Sequence, residues 1–134
     1  MGELERNEFG VVVHHPDEGI LELEWLEGSS GLTDDEFMAS MQRYSELAET
    51  QRPPYLLVDV TRFRFSPGPQ VAAWRDEHVI PGYNRAGVKK FAFLVAEGGD
   101  YTVEAGHPPA IEPPGEFPTG VFDRRQDILE WFRA

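Results

Sequence analysis

Apolar and polar residues alternate early in the chain and then change period. Phe9–His15, with valine at 11–13, reads as a strand. Pro16-Asp17-Glu18-Gly19 has turn chemistry, since proline presets φ and glycine accepts a positive φ at the exit. Ile20–Leu26 then alternates, with Leu21, Leu23 and Trp25 toward one face and Glu22 and Glu24 toward the other. That period of two predicts a half-buried strand, paired antiparallel with the first as a hairpin. Gly28-Ser29-Ser30-Gly31 is a loop. Thr33-Asp34-Asp35-Glu36 starts a helix: Thr33 and Glu36 have capping-box spacing, and Leu32 and Phe37 that of a hydrophobic staple. Phe37, Met41, Tyr44 and Ala48 share one helical face, and Arg52-Pro53-Pro54 ends it.

The apolar run Tyr55–Val60 suits a central strand covered on both faces. Ser66 as cap and Pro67 at the first position predict a helix from Pro67 to about Ile80, kinked or ended by Pro81-Gly82. Gly87 has the place of a C-cap glycine. Val88–Ala96 is a second buried strand and Thr119–Phe122 a short final one. Asp123 is the expected cap of a last helix, with Gln126 at the capping-box position and Ile128, Leu129 and Phe132 on one face. Residues 97–118 hold five prolines and no clear period, so they read as a Pro/Gly-rich loop. Residues 1–8 show no apolar pattern and are expected to be disordered. The sum is a single α/β domain over 1–134: a mixed sheet with an N-terminal antiparallel hairpin, a mostly parallel centre and packed helices.

Composition narrows the chemistry. The chain has 134 residues and no cysteine, which excludes disulfides, thiol chemistry and the usual zinc frameworks. No stretch is apolar enough for a membrane span, and the acidic start has no signal-peptide character, so a cytoplasmic location is expected. The formal net charge of −12 repels a phosphate backbone, so nucleic acid is not expected as a partner. The charge is uneven: residues 1–49 carry 13 acidic and 2 basic residues, whereas 50–96 carry 3 acidic and 7 basic.

Four stretches together resemble the SpoIIAA-like proteins, a branch of the STAS and SEC14-type domains. They are the acidic hairpin GILELEW before a long helix, the strand YLLVDVTRFRF with its aspartate, the strand AGVKKFAFLVA, and the ending FPTGVFDRRQDILEWF. The resemblance implies a STAS-like α/β fold over roughly residues 10–133 and a non-enzymatic regulatory or protein-interaction role. STAS anti-anti-sigma proteins carry an Asp-Ser pair before the second helix, whose serine a partner kinase phosphorylates. This chain reads Phe65-Ser66-Pro67-Gly68 there, without the pair.

No catalytic signature stands out: there is no nucleophile elbow, phosphate-binding glycine loop or zinc-protease motif. No catalytic residue, metal or cofactor is therefore assigned, and an enzyme is not expected. His14 and His15 are adjacent in a strand and point to opposite faces. Asp59, before a turn, reads as a cap for neighbouring backbone. Arg62, Phe63, Arg64 and Phe65 alternate. The plain reading puts the phenylalanines in the core and the arginines in solvent or against the acidic hairpin. The functional reading joins the arginines to Ser66 and the helix start at Pro67-Gly68, where unpaired N–H groups attract anions. On that reading the loops 61–69 and 97–118 flank one crevice, and Arg62, Arg64, Ser66, Gly68, Tyr101 and His107 hold a ligand or partner.

Two functions follow. One is an interaction module that meets an unidentified protein partner through that crevice or the acidic first helix (Asp34, Asp35, Glu36, Glu46, Glu49). The other is a small-ligand binder for a lipid-like or anionic molecule in the crevice. Trp25, Trp74 and Trp131, with nine phenylalanines, suit either an apolar cavity or ordinary core packing. Exposed sheet edges make a homodimer an option.

Overall fold

The computed structural model describes residues 2–65, 68, 70–96 and 117–134. Six strands form one sheet in sequence order: β1 (Gly2–Arg6), β2 (Gly10–His15), β3 (Ile20–Trp25), β4 (Tyr55–Asp59), β5 (Lys90–Leu94) and β6 (Thr119–Phe122). β1, β2 and β3 pair antiparallel, and β3 to β6 run parallel. This is the mixed α/β sheet that the pattern predicts.

Helix α1 (Asp34–Gln51) connects β3 to β4, while α2 (Gln70–His78) and α3 (Ile80–Ala86) connect β4 to β5. All three pack on one face, over Leu21, Leu23, Trp25, Leu56, Val58, Phe91 and Phe93. Helix α4 (Arg125–Arg133) covers part of the other face, over Ile20, Leu57, Ala92 and Leu94. Crossovers of one hand, stepping in one direction along a sheet, place their helices on one side.

Local chemistry explains the boundaries. The capping box at Thr33 is complete: Glu36 N–H donates to Thr33 Oγ1 at 3.2 Å, and Thr33 N–H donates to Glu36 Oε1 at 2.9 Å. Gly19 closes the β2–β3 turn with φ of 73°. Arg52 ends α1 in the left-handed region at φ 52°, before Pro53.

Two expectations, on the N-terminus and on the cap of the last helix, need correction. Gly2–Arg6 is not disordered; it is edge strand β1, tied to β2 through Asn7, whose Oδ1 accepts from the N–H groups of Phe9 and Gly10 at 2.8 and 3.0 Å. Backbone pairing makes this strand, so no apolar pattern marks it. The break expected at Pro81-Gly82 is present: the helix is interrupted at Val79, between α2 and α3, Pro81 sits in the first turn of α3, where no N–H is needed, and Gly87 closes α3 at φ 82°. The last helix has Arg124 at its N-cap position with no side-chain cap bond, and Gln126 turns instead to Glu130 at 3.1 Å.

Candidate functional site

A cavity of about 30 Å³ lies between the sheet and the helical layer. Its floor is Leu23 and Trp25 on β3, Val58 on β4, and Phe91 and Phe93 on β5, the alternate residues that the strand period turns to this face. α1 supplies Phe37, Met41 and Tyr44 as one helical stripe, and α3 supplies Ile80 and Tyr83. Phe63, just beyond β4, closes one side. Its ring sits 5.1 Å from that of Trp25 and 5.7 Å from that of Phe37. Such a space holds a water molecule or two, at roughly 10–15 Å³ each.

Polar atoms in this apolar shell are few. Arg75 of α2 reaches the cavity wall with its side chain only 12% exposed, and its guanidinium meets Asp76 at 3.3 Å. Thr119 of β6 is 6% exposed, and its buried Oγ1 has no hydrogen-bond partner among the described residues. A buried hydroxyl without a partner costs about 1–3 kcal/mol, so its presence calls for an explanation. The Tyr44 hydroxyl donates to the Leu21 carbonyl at 2.6 Å. Burial pushes the pKa of Tyr44 well up, with Tyr83 and Glu22 adding to it. Burial pushes Tyr83 up as well, and the charge of Arg75 opposes it. Both phenols are therefore neutral.

The loop residues expected to bind are only partly described. Ser66, Tyr101 and His107 lie outside the described residues, as do residues 97–116 of the Pro/Gly-rich loop. Arg62 meets Glu24 of β3 at 2.6 Å, which is the pairing with the acidic hairpin that the plain reading foresees. Phe63 and Phe65 pack against the core. The Arg64 backbone N–H donates to Ser29 Oγ at 2.9 Å, and its guanidinium donates to the Phe63 carbonyl at 3.3 Å. The Gly68 N–H donates to Asp34 Oδ1 at 3.1 Å, so the chain's own carboxylate takes the place offered to an anion. Asp59 caps backbone as expected, accepting from the Thr61 N–H at 2.9 Å and its hydroxyl at 2.6 Å.

The cavity's polar residues were not legible in sequence. Arg75 stands in Trp-Arg-Asp-Glu, which reads as a solvated helix face, and Thr119 looks like an ordinary strand threonine. Of the three tryptophans, Trp25 lines the cavity, Trp74 packs at the edge of the same core, and Trp131 lies on α4 against Phe122, their rings 5.3 Å apart.

The opposite face carries a second polar cluster. Glu22, expected to face solvent, is 5% exposed. Its Oε1 lies 3.0 Å from His15 Nε2, and Arg125 of α4 donates to its other oxygen. This cluster ties α4 to the hairpin. Among the described residues no group of three or more His, Cys, Asp or Glu could hold a metal ion, and no helix is long and apolar enough to cross a membrane.

No protein-family model, curated protein or solved structure matches the chain.

Proposed function

We propose that this protein is a small-ligand-binding α/β module. Its ligand is a mostly apolar molecule that enters between the helical layer and the sheet by moving the aromatic rings apart, since the cavity of about 30 Å³ holds only water as it stands. The ligand carries a hydrogen-bonding group that meets Thr119 and Arg75. The observation that carries this reading is the buried Thr119 hydroxyl, without a partner among the described residues, at the wall of an aromatic cavity. A ligand oxygen there would complete it.

The interaction-module reading finds less support. The acids of α1 are largely engaged within the chain: Asp34 with Gly68 and Gln70, Glu36 in the capping box, Glu46 with Arg43, and Glu49 with Arg85. Leu4 is the large exposed hydrophobic among the described residues, which is no apolar patch. Membership of the SpoIIAA-like group is part of the same proposal; the described elements from Gly10 onward run β-β-α-β-α-α-β-β-α, close to the order that the resemblance implies.

Thermal unfolding with phenylacetate, decanol and inorganic phosphate tests the reading. A ligand of the native state raises Tm by mass action, by about 8–10 °C at a hundredfold excess over Kd. The apolar compounds should raise Tm and phosphate should not. Equal indifference to all three would count against the cavity as a ligand site.

A further inference from the structure

On the opposite face of the sheet, a cleft of about 300 Å³ lies between the β2–β3 turn and the second half of α4. That volume reaches the lower end of the range for small-molecule sites, about 300–1,000 Å³. Ile20, Tyr55, Leu129 and Phe132 give the cleft an apolar floor. Asp17 and Glu18 stand on its turn side and Arg133 on its helix side. Both walls are held by contacts of their own. The Glu18 N–H donates to the His15 carbonyl at 3.1 Å, and the Tyr55 N–H donates to the Gly19 carbonyl at 3.1 Å, which ties the turn to the start of β4. The Tyr55 ring stacks on Phe132, with centroids 4.6 Å apart and planes at 7°. Lys90 Nζ donates to the backbone oxygens of Trp131 and Ala134 at 2.5 and 3.1 Å, which fixes the end of α4. A cleft with fixed walls loses little freedom when it binds.

The charges on its rim are unmatched. Elsewhere Glu3, Glu5, Glu22, Glu24 and Glu49 each hold an arginine. The side chains of Asp17 and Glu18 make no hydrogen bond or ion pair among the described residues, and Arg133 lines the same cleft without meeting either of them. Arg125 feels the charge of Glu18, but Glu22 already holds its guanidinium. Two neighbouring carboxylates beside an apolar floor complement a cation with an apolar body. The net charge of −12 draws cations toward the surface as well. Tyr55, half-buried, adds an aromatic ring, which ammonium groups favour.

We infer that this cleft is a second binding site, for a small amine with an apolar body. The ammonium group meets the carboxylates of Asp17 and Glu18, and the apolar body lies on Ile20, Tyr55 and Leu129. Arg133 repels a cation from the helix end, so the turn end is the ammonium's place. The inference stands apart from the ligand reading of the aromatic cavity, which lies across the sheet.

The test is a titration of the ¹⁵N-labelled protein with phenethylammonium and with 2-phenylethanol, its neutral counterpart of the same shape. The amine should shift the amides of Glu18, Gly19, Tyr55 and Phe132 and bind more tightly than the alcohol. Asp17→Asn combined with Glu18→Gln should weaken the amine about three- to tenfold, and Arg133→Gln should tighten it up to about twofold, with the alcohol unmoved by either change. All three residues are exposed, and the unaltered protein supplies a second readout. Raising salt from about 20 to about 300 mM should weaken the amine severalfold and leave the alcohol unchanged. Equal binding of amine and alcohol, or amine binding indifferent to salt and to the double variant, overturns the inference. So does the absence of any shift at these four amides. Shifts confined to Phe91 and Thr119 overturn it too, while leaving the cavity reading intact.

Discussion

Asp34, in the first turn of α1, accepts the backbone N–H of Gly68 at 3.1 Å, bridging 34 positions of sequence to the residues that precede α2. Its second oxygen accepts from Gln70 Nε2 at 2.7 Å. One carboxylate therefore serves the dipole of α1 and the backbone before α2. Asp34→Ala should cost about 1 kcal/mol in urea unfolding. In the unaltered protein the Gly68 amide should ignore inorganic phosphate, because Asp34 already fills that place. A phosphate-dependent shift at Gly68 would contradict this.

Thr119→Val removes a buried hydroxyl that has no partner among the described residues and keeps the side chain's shape. It should stabilise the protein, by up to about 1 kcal/mol, where most buried changes do the reverse. The same variant should bind the cavity's ligand more weakly. A loss of stability would mean that the hydroxyl has a partner in solution.

Gly82 is where α3 meets α1. A Cβ there would stand 2.1 Å from Ser45 Oγ, which is itself buried and donates to the Val79 carbonyl at 2.9 Å. Gly82→Ala should cost about 1–3 kcal/mol. Ser45→Ala should cost about 1 kcal/mol on its own. The double variant should lose less than the sum, since removing Oγ relieves the clash. Strict additivity would rule out the close approach.

Burial lowers the pKa of His14 below its ordinary 6.5, and the neighbouring His15 adds to the effect. The unfolded chain thus binds the proton more readily than the folded one. His14 contributes fully above pH 6.5, and the contribution is lost as pH falls below that value toward the lower folded pKa. Denaturation midpoints should decline over that range, and His14→Gln should flatten the decline. An unchanged slope would place the pH dependence elsewhere.

Much of the architecture is written in local patterns. The period of two in Ile20–Leu26, the capping box at Thr33 and the glycine at 87 act within a few residues of themselves, and each is found in place. β1 was hidden because its partner is a neighbouring backbone and its side chains are mostly charged. Glu22 misled because alternation tells which face a residue takes and not what covers that face. Arg125, 103 positions away, turns a solvent position into a buried one. The cavity was hidden for the same reason. Trp25, Tyr83, Arg75 and Thr119 come from four separate elements, and only packing brings them together.

On the proposed function, the space between the helices and the sheet opens to hold a small molecule. Native mass spectrometry on protein purified from cells without unfolding tests it most directly. The prediction is a species heavier than the 15.2 kDa chain that returns to the bare mass on collisional activation and yields an extractable, mostly apolar compound. The bare chain mass alone, in preparations that also bind none of the apolar compounds named above, would contradict the claim.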